Sequence, residues 1–343
     1  MPGELNPAHI MQMAMGFFPS KILLSAVELD LFGALADGPL SKSELQQRLG
    51  LHVRAAADFL DALVALGVLA REGEGEPALY ANTAETAAFL VPASQTYVGG
   101  MMKMASRRLF RHWANLTEAL RTGEPQSEVK SAADASDPFT SLYADPAVLE
   151  EFISAMAGVQ LANFAALAEK FDFAPFRTAC DAGGASGALC IALARAHPHL
   201  RCISFDLPPV TAVAARRIAG AGLSDRIEAR AGDFMRDELP HADIVLMGNI
   251  LHDWGTATKQ MLVGKAFAAL PDGGVFIAIE NIIDDSRREN ALGLMMSLNM
   301  LIETPEGYDY TFAQFDGWAR AAGFRRTEKM PLAGTASAAI AWK

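Results

Sequence analysis

Over positions 1–90 the apolar residues recur at helical spacing. Ile22, Leu23, Ala26, Val27, Leu31 and Leu35 form one stripe, broken around Leu29–Gly33; Ala57, Leu60, Leu63 and Val64 form another, which Gly67 ends. Between them Ser41 and Glu44 have the spacing of a capping box and Gly50 closes a short helix. Val68–Ala70 and Leu79–Ala81 flank a turn-rich segment and read as a two-stranded wing. Helices plus a wing predict a winged-helix domain over 1–95. Residues 96–172 are helical and rich in methionine, with Gly123 and Pro125 as stops and SAADASDP as a break. From Thr178 short apolar strands (TACDAG, CISFDLP, ADIVLMGN, VFIAIENII) alternate with helices. FAQFDGWARAAGF is a last amphipathic helix and AAIAWK a closing strand. That alternation predicts a parallel sheet covered on both faces over 173–343.

Composition narrows the possibilities. The 343 residues carry a formal net charge of −11, which argues against a broad nucleic-acid surface. Residues 1–90 alone sum to −6, and HVRAAADFLDALVALG, the helix that would enter a major groove, holds one Arg and two Asp. Phosphate neutralisation is missing there, so the winged helix reads as a dimerisation element. A ligand-sensing DNA-binding regulator is the least favoured alternative. The start lacks a basic segment followed by an apolar one, and no run reaches about 18 uninterrupted apolar residues, so neither signal peptide nor membrane span is expected. Cys180, Cys190 and Cys202 show neither CxxC spacing nor His partners, so no disulfide framework and no metal site is expected. The reading is a cytoplasmic protein with no membrane or nucleic-acid partner.

Candidate chemistry clusters at the strand ends. Asp181-Ala-Gly183-Gly184-Ala-Ser-Gly187 opens a helix, where glycines admit a ligand close to backbone N–H groups. Asp206 ends the next strand 25 residues on, a place that suits a ribose diol. The spacing is GGxxG and not the GxGxxG of a nicotinamide site; alone it is also compatible with a tight turn. Gly232-Asp233-Phe234 closes a third strand and offers an acid and a ring to an adenine.

The series Asp–GGxxG, FDLP, GDF and LHDW, followed by Glu280, resembles the S-adenosylmethionine-dependent small-molecule O-methyltransferases of the plant caffeic acid and bacterial polyketide or phenazine types. The resemblance covers nearly the whole chain. It implies an α/β fold: a Rossmann-like class I methyltransferase domain behind an N-terminal, all-helical winged-helix dimerisation domain. It implies S-adenosylmethionine as cofactor, with S-adenosylhomocysteine as product and no metal. Asp181, Gly183, Gly184, Asp206, Leu207, Gly232, Asp233 and Phe234 would bind the cofactor, the Gly183–Gly184 loop holding the methionine moiety, Asp206 the ribose, and Asp233 with Phe234 the adenine; Tyr143 and Asn249 fall where the family has further contacts. Two positions depart from the pattern: Ala185 replaces a loop glycine, and Gly248 stands where plant members have Lys.

Methyl transfer needs an aligned acceptor and a base. His252, in LHDW, is the candidate base. Glu280, 28 residues further on, and Asp309, where the family has a second Glu, would orient its ring and stabilise its charge. Asp253 would fix the loop. Phe152 and Met156, four apart on one helix face, together with Met295, Asn299 and Met300 and with Phe110 and Trp113, would wall a flat aromatic or polyketide acceptor, Asn299 addressing a polar substituent. Core packing is the plain alternative for the Met and Phe residues. Transfer to nitrogen or carbon, or a non-methylating hydroxylase, decarboxylase or cyclase, are the alternative activities. A homodimer is expected through apolar Phe17, Phe18, Ile22, Leu23 and Leu24, and the resemblance implies that Met11, Met13 or Phe17 reaches the partner's acceptor site.

Overall fold

The computed structural model describes residues 5–75, 77–94, 96–131 and 145–343, and local capping signals set several of its helix ends. The chain divides between Arg111 and His112 into two units, a boundary that falls inside the 96–172 segment.

In the first unit the apolar stripe is split into helices Phe17–Glu28 and Leu31–Ala34 because Asp30 turns left-handed (φ 56°). Ser41 and Glu44 form the capping box of helix Lys42–Leu49, and Gly50 ends it in the left-handed conformation. Helix Val53–Ala65 follows. Ala26, Leu31, Phe32, Leu45, Leu60 and Leu63 from these four helices are fully buried in its core. The unit is not all-helical: β1 (Leu40–Ser41), β2 (Leu69–Glu72) and β3 (Leu79–Asn82) form an antiparallel sheet in the order β1–β3–β2. The two residues of β1 are too few to show an alternation, so only the hairpin β2–β3 was legible. Helix Ala8–Ala14 buries none of its side chains.

Two stretches pass a looser test for a spanning segment, by length and composition only, without overturning the expectation of none. Ala8–Glu28 and Val148–Lys170 are long and apolar enough to cross a membrane by length and composition. A test for uninterrupted apolar residues stops at Gln12 or Lys21, whereas mean hydropathy tolerates them. The same test is passed by core helices of proteins outside membranes.

The second unit is built on a seven-stranded sheet of β4 (Thr178–Ala182), β5 (Arg201–Asp206), β6 (Ile227–Ala231), β7 (Ile244–Gly248), β8 (Val275–Glu280), β9 (Arg326–Pro331) and β10 (Ser337–Trp342). Its order is β6–β5–β4–β7–β8–β10–β9. β4 to β8 run parallel, while β10 is antiparallel to both neighbours, so the expected all-parallel sheet is corrected. β9 and β10 are joined by a short turn, with no crossover helix to reverse the chain. β9 was not expected: RTEKMP is a largely exposed edge strand whose polar residues hide its pattern.

Alternate residues of the inner strands point to opposite cores. Leu246 joins Leu189, Leu193 and Ile218 on one face; Val245 joins Leu262, Val263, Phe315 and Trp318 on the other. Strands buried on both faces read as continuous apolar runs, which is why β7 and β8 were visible in the sequence. Strand order reverses between β4 and β7, and the crevice at their carboxyl ends is the place where such sheets bind ligands.

Candidate active site

The chain leaves β4 through Gly183–Gly187, with Gly183 (φ 80°), Ala185 (φ 45°) and Gly187 (φ 73°) all left-handed, and enters helix Ala188–Ala196. A Cβ on Gly183 would collide with the Ile250 side chain, and one on Gly184 with Ser204 Oγ. The Gly183 N–H donates to the Phe205 carbonyl at 2.8 Å, which ties the loop to β5. Asp206 ends β5 and accepts from the N–H groups of Ala185 (2.8 Å) and Leu207 (2.7 Å). Leu207 caps helix Pro208–Gly220, whose prolines occupy first-turn positions that need no N–H donor.

Burial pushes the Asp206 carboxyl up to about 6 against the pull of those two N–H groups. Burial, with the Asp206 charge added, pushes Asp181 up to about 7. After β6 a Cβ on Gly232 would strike the Phe205 ring. Asp233 Oδ1 accepts from the Met235 N–H at 2.8 Å, and Phe234 stands edge-on to Trp254 with centroids 6.3 Å apart. Asn249 is left-handed (φ 53°) and donates its N–H to the Ile279 carbonyl at 3.1 Å; a side chain at Gly248 would find ordinary contact with Phe164. Tyr143 lies outside the described residues. Ser204 Oγ is buried with no hydrogen-bond partner. Two buried carboxyls, an unpartnered hydroxyl, glycine-cleared backbone and an aromatic ring fit a nucleoside ligand that bears a positive charge.

The second cluster lies beyond β7. One turn of 3₁₀ helix, Leu251–Asp253, carries His252, which is 6% exposed. Its Nδ1 is 3.5 Å from Asp309 Oδ1 and its Nε2 is 3.5 Å from Asp253 Oδ1. These are ion-pair distances, too long for well-formed hydrogen bonds. Glu280, at the end of β8, accepts the His252 backbone N–H at 3.2 Å and so holds the turn in addition to facing the ring. Burial disfavours charge on His252, but Asp253, Asp309 and Glu280 more than offset it and raise the imidazole to about 10. Burial raises Asp253 to about 7 against the attraction of His252, and burial also raises Glu280.

Among the described residues, eight buried side-chain polar atoms lack a hydrogen-bond partner, and six of them belong to His252, Trp254, Glu280, Asp309 and Tyr310. Native interiors leave few such groups, so their concentration in one place marks a site built for something other than its own stability.

Lys259 and Tyr310 are members of this cluster that sequence reasoning missed. Lys259 is fully buried in helix Thr256–Ala269. It stands three, four and seven residues before Leu262, Val263 and Ala266, on the apolar stripe, and that misplaced charge was the available signal.

The acceptor candidates are distributed unequally. Asn299 is buried and its Oδ1 accepts from Trp113 Nε1 at 2.8 Å, which brings two of them together. Met300 is buried, whereas Met295 is 49% exposed. Phe152 and Met156 lie on helix Pro146–Lys170, and Phe152 packs in a cluster with Val210, Val213, Ala185 and Leu207, beside the glycine loop. Phe110 belongs to the first unit, where Lys21 Nζ sits 5.7 Å from its ring centroid. Met11, Met13 and Phe17 are exposed.

Residues 113–325 match the O-methyltransferase domain family and residues 11–92 the O-methyltransferase dimerisation domain family. The chain is 41% identical over 338 residues to the tetracenomycin polyketide synthesis 8-O-methyl transferase TcmO of Streptomyces glaucescens, covering 98% of this chain and 97% of the relative. It is 32% identical over 316 residues to the N,N-dimethyltransferase OxyT of Streptomyces rimosus, covering 92% and 90%. The solved structure of human N-acetylserotonin methyltransferase in complex with S-adenosylmethionine superimposes with a TM-score of 0.92 at 29% identity, over 100% of this chain and 99% of that one.

Proposed function

The chain belongs to the O-methyltransferase family, with that family's dimerisation domain at its amino-terminal end, and from this premise we propose that it methylates a hydroxyl of an aromatic, polyketide-like secondary metabolite with His252 as general base. The observation that carries the proposal is the buried imidazole flanked by carboxylates on both ring nitrogens, at the carboxyl edge of a sheet whose neighbouring loops form a nucleoside cradle.

S-adenosylmethionine supplies an activated methyl group on a sulfonium. Asp206 would take the ribose hydroxyls, Asp233 and Phe234 the adenine, and the Gly183–Gly184 backbone the methionine end. What remains for the protein is to align the acceptor oxygen and manage one proton. The surrounding carboxylates raise the proton affinity of His252 from that of an ordinary imidazole toward that of a phenol. That rise lowers the free-energy cost of passing the acceptor's proton to the imidazole. Neutral imidazole with phenol and imidazolium with phenolate hold the same number of protons, and either pair supplies the nucleophile. The pair with one proton more is inactive. Glu280 keeps the turn in place through the His252 N–H, while Asp309 and Asp253 fix the ring and stabilise its charge.

The acceptor wall is read as Trp113, Asn299 and Met300 on one side and Phe152 and Met156 on the other. A homodimer through the amino-terminal unit is supported by the dimerisation-domain match and by exposed Ile10, Met13, Phe17 and Phe18, with Met11, Met13 or Phe17 reaching the partner's acceptor site. The likeness to an N,N-dimethyltransferase favours transfer to nitrogen as the second reading.

Labelled S-adenosylmethionine and a panel of phenols and aromatic amines test both. Label in phenolic ethers is the expected result, and label in amines alone would overturn the assignment to oxygen. His252→Ala should lose about 10²–10⁴-fold in rate on a high-pKa phenol while keeping cofactor affinity. Near-normal turnover by that variant would remove His252 from the chemistry.

A further inference from the structure

Helix Pro146–Lys170 departs from its own pattern at Gln160. Val159 and Leu161 on either side are each 41% exposed, yet Gln160 between them is buried, and so is Asn163. Burying two amides beside exposed apolar residues costs free energy unless their polar atoms are used. The backbone N–H of Ala333 donates to Asn163 Oδ1 at 3.2 Å, and Asn163 Nδ2 donates to Gln160 Oε1 at 2.9 Å. A backbone N–H can only donate, so it fixes which end of the Asn163 amide faces it, and Asn163 in turn fixes Gln160. Gln160 Nε2 is left with its N–H donors and, among the described residues, no partner. It is not sealed in as the unpartnered atoms around His252 are, so a ligand can reach it.

The helix period gives the place of that donor. Leu149, Ile153, Gln160 and Phe164 lie on one stripe of the helix. Leu149 and Ile153 pack with Val210 and Val213, a cluster that Ala185 of the glycine loop and Leu207 join. Phe164 lies 3.7 Å from where a Cβ on Gly248, the last residue of β7, would stand. Ala333 belongs to the turn between β9 and β10, at the end of β10 that pairs with Glu280. Gln160 therefore stands between the glycine loop and the end of β7, at the carboxyl edge of the sheet.

The methionine end of S-adenosylmethionine carries an ammonium and a carboxylate. Asp181 and Asp206, once ionised, can only accept hydrogen bonds, which suits the ammonium and the ribose and not the carboxylate. The N–H groups of the loop are largely in use: Gly183 and Gly184 donate to the Phe205 carbonyl, Ala185 to Asp206 and Gly187 to the Gly184 carbonyl. We propose that Gln160 is a cofactor-binding residue whose Nε2, oriented by the relay from Ala333 through Asn163, donates to the carboxylate of the methionine moiety. An amide donates there without adding a charge beside the sulfonium.

The inference rests on the loops after β4 and β5 being the cofactor cradle, and two ligands separate the two claims. S-adenosylhomocysteine has the carboxylate; 5′-methylthioadenosine has the same nucleoside and no amino-acid end. Calorimetry on the whole chain should find S-adenosylhomocysteine bound about tenfold or more weakly by Gln160→Leu, which loses a hydrogen bond to a charged group. Its affinity for 5′-methylthioadenosine should match wild type. Gln160→Glu keeps one oxygen for Asn163 and turns the other on the carboxylate, so it should bind S-adenosylhomocysteine more weakly still and 5′-methylthioadenosine as wild type does. Asp206→Ala should weaken both ligands alike, since both carry the ribose.

Equal losses for the two ligands in Gln160→Leu, or none for S-adenosylhomocysteine, would overturn the proposal. So would a raised acceptor KM with unchanged S-adenosylhomocysteine affinity, which would move Gln160 to the acceptor wall. If Gln160→Leu does not fold, the Glu variant carries the comparison by itself. A selective loss in Gln160→Leu beside an Asp206→Ala chain that binds both ligands normally would support Gln160 and overturn the ribose placement.

Discussion

His252 holds its proton more tightly in the folded chain than in the unfolded one, with an affinity raised from 6.5 to about 10. The sign of the linkage follows: its charge contributes stability that is fully present below about pH 6.5 and is lost as pH rises toward 10. Denaturant unfolding of His252→Gln should accordingly lack part of the decline in stability that wild type shows across that window; parallel curves would contradict the carboxylate-held imidazolium. Activity runs the other way. On a high-pKa phenol kcat/KM should still climb between pH 7 and 9, where an unperturbed histidine, at about 6.5, would already have levelled off. The two carboxyls of the proposed cofactor cradle make a separate prediction. Asp206 and Asp181 stand at about 6 and 7 before ligand binds, and a ribose hydroxyl or a sulfonium favours the ionised forms. S-adenosylmethionine affinity should weaken as pH falls from 7.5 to 5.5, with proton release on binding at the lower pH. Asp206→Ala should weaken it severely at every pH, and calorimetry that finds unchanged affinity would displace the ribose from Asp206.

The loop from β4 into helix Ala188–Ala196 shows how an element serves the site. Its left-handed positions bend it around the crevice, and its glycines let Ile250 and Ser204 approach where a Cβ would stand. Gly183→Ala combines a left-handed penalty of about 1–2 kcal/mol with a collision against Ile250, so unfolding by heat and cofactor binding should both suffer. The same substitution at Gly222, also left-handed but with nothing near its Cβ, should weaken stability and leave binding intact. The capping box of Ser41 and Glu44 acts purely locally. Ser41→Ala should cost about 1 kcal/mol of stability in the first unit and nothing in cofactor affinity.

Assembly is a property of the whole chain. Helix Ala8–Ala14 buries no side chain, and Ile10, Met11, Met13, Phe17 and Phe18 are all at least half exposed. Apolar surface of this extent marks an interaction face, and the dimerisation-domain match supports a second copy as the proposed partner. Light scattering at micromolar concentration should return twice the 36.6 kDa of one chain. One chain's mass would remove the dimer. An obligate interface of this type should bury more than about 2,000 Å², so the dimer should persist on dilution into the nanomolar range.

Strand–helix alternation and the loops after β4, β5 and β6 could be read from the amino-acid order, because the contacts that shape them lie within a few residues: Gly183 beside its own strand end, Asp206 on the Leu207 N–H, Pro208 and Pro209 at a helix start. The motif His252 with Glu280 was legible for the same reason, each at the end of its own apolar strand. The role of Glu280 was not, since only the pairing of β7 with β8 sets its carboxylate on the His252 backbone. The antiparallel β9–β10 edge was hidden because an exposed edge strand need not alternate. Lys259 was hidden for a deeper reason. A lysine on a helix ordinarily reaches water, and nothing along the chain says that Asp253, Glu280 and Asp309, up to 56 residues apart, converge on its helix. Proton affinities depend on distances between groups brought together from separate elements, and those distances come into being only when the sheet closes.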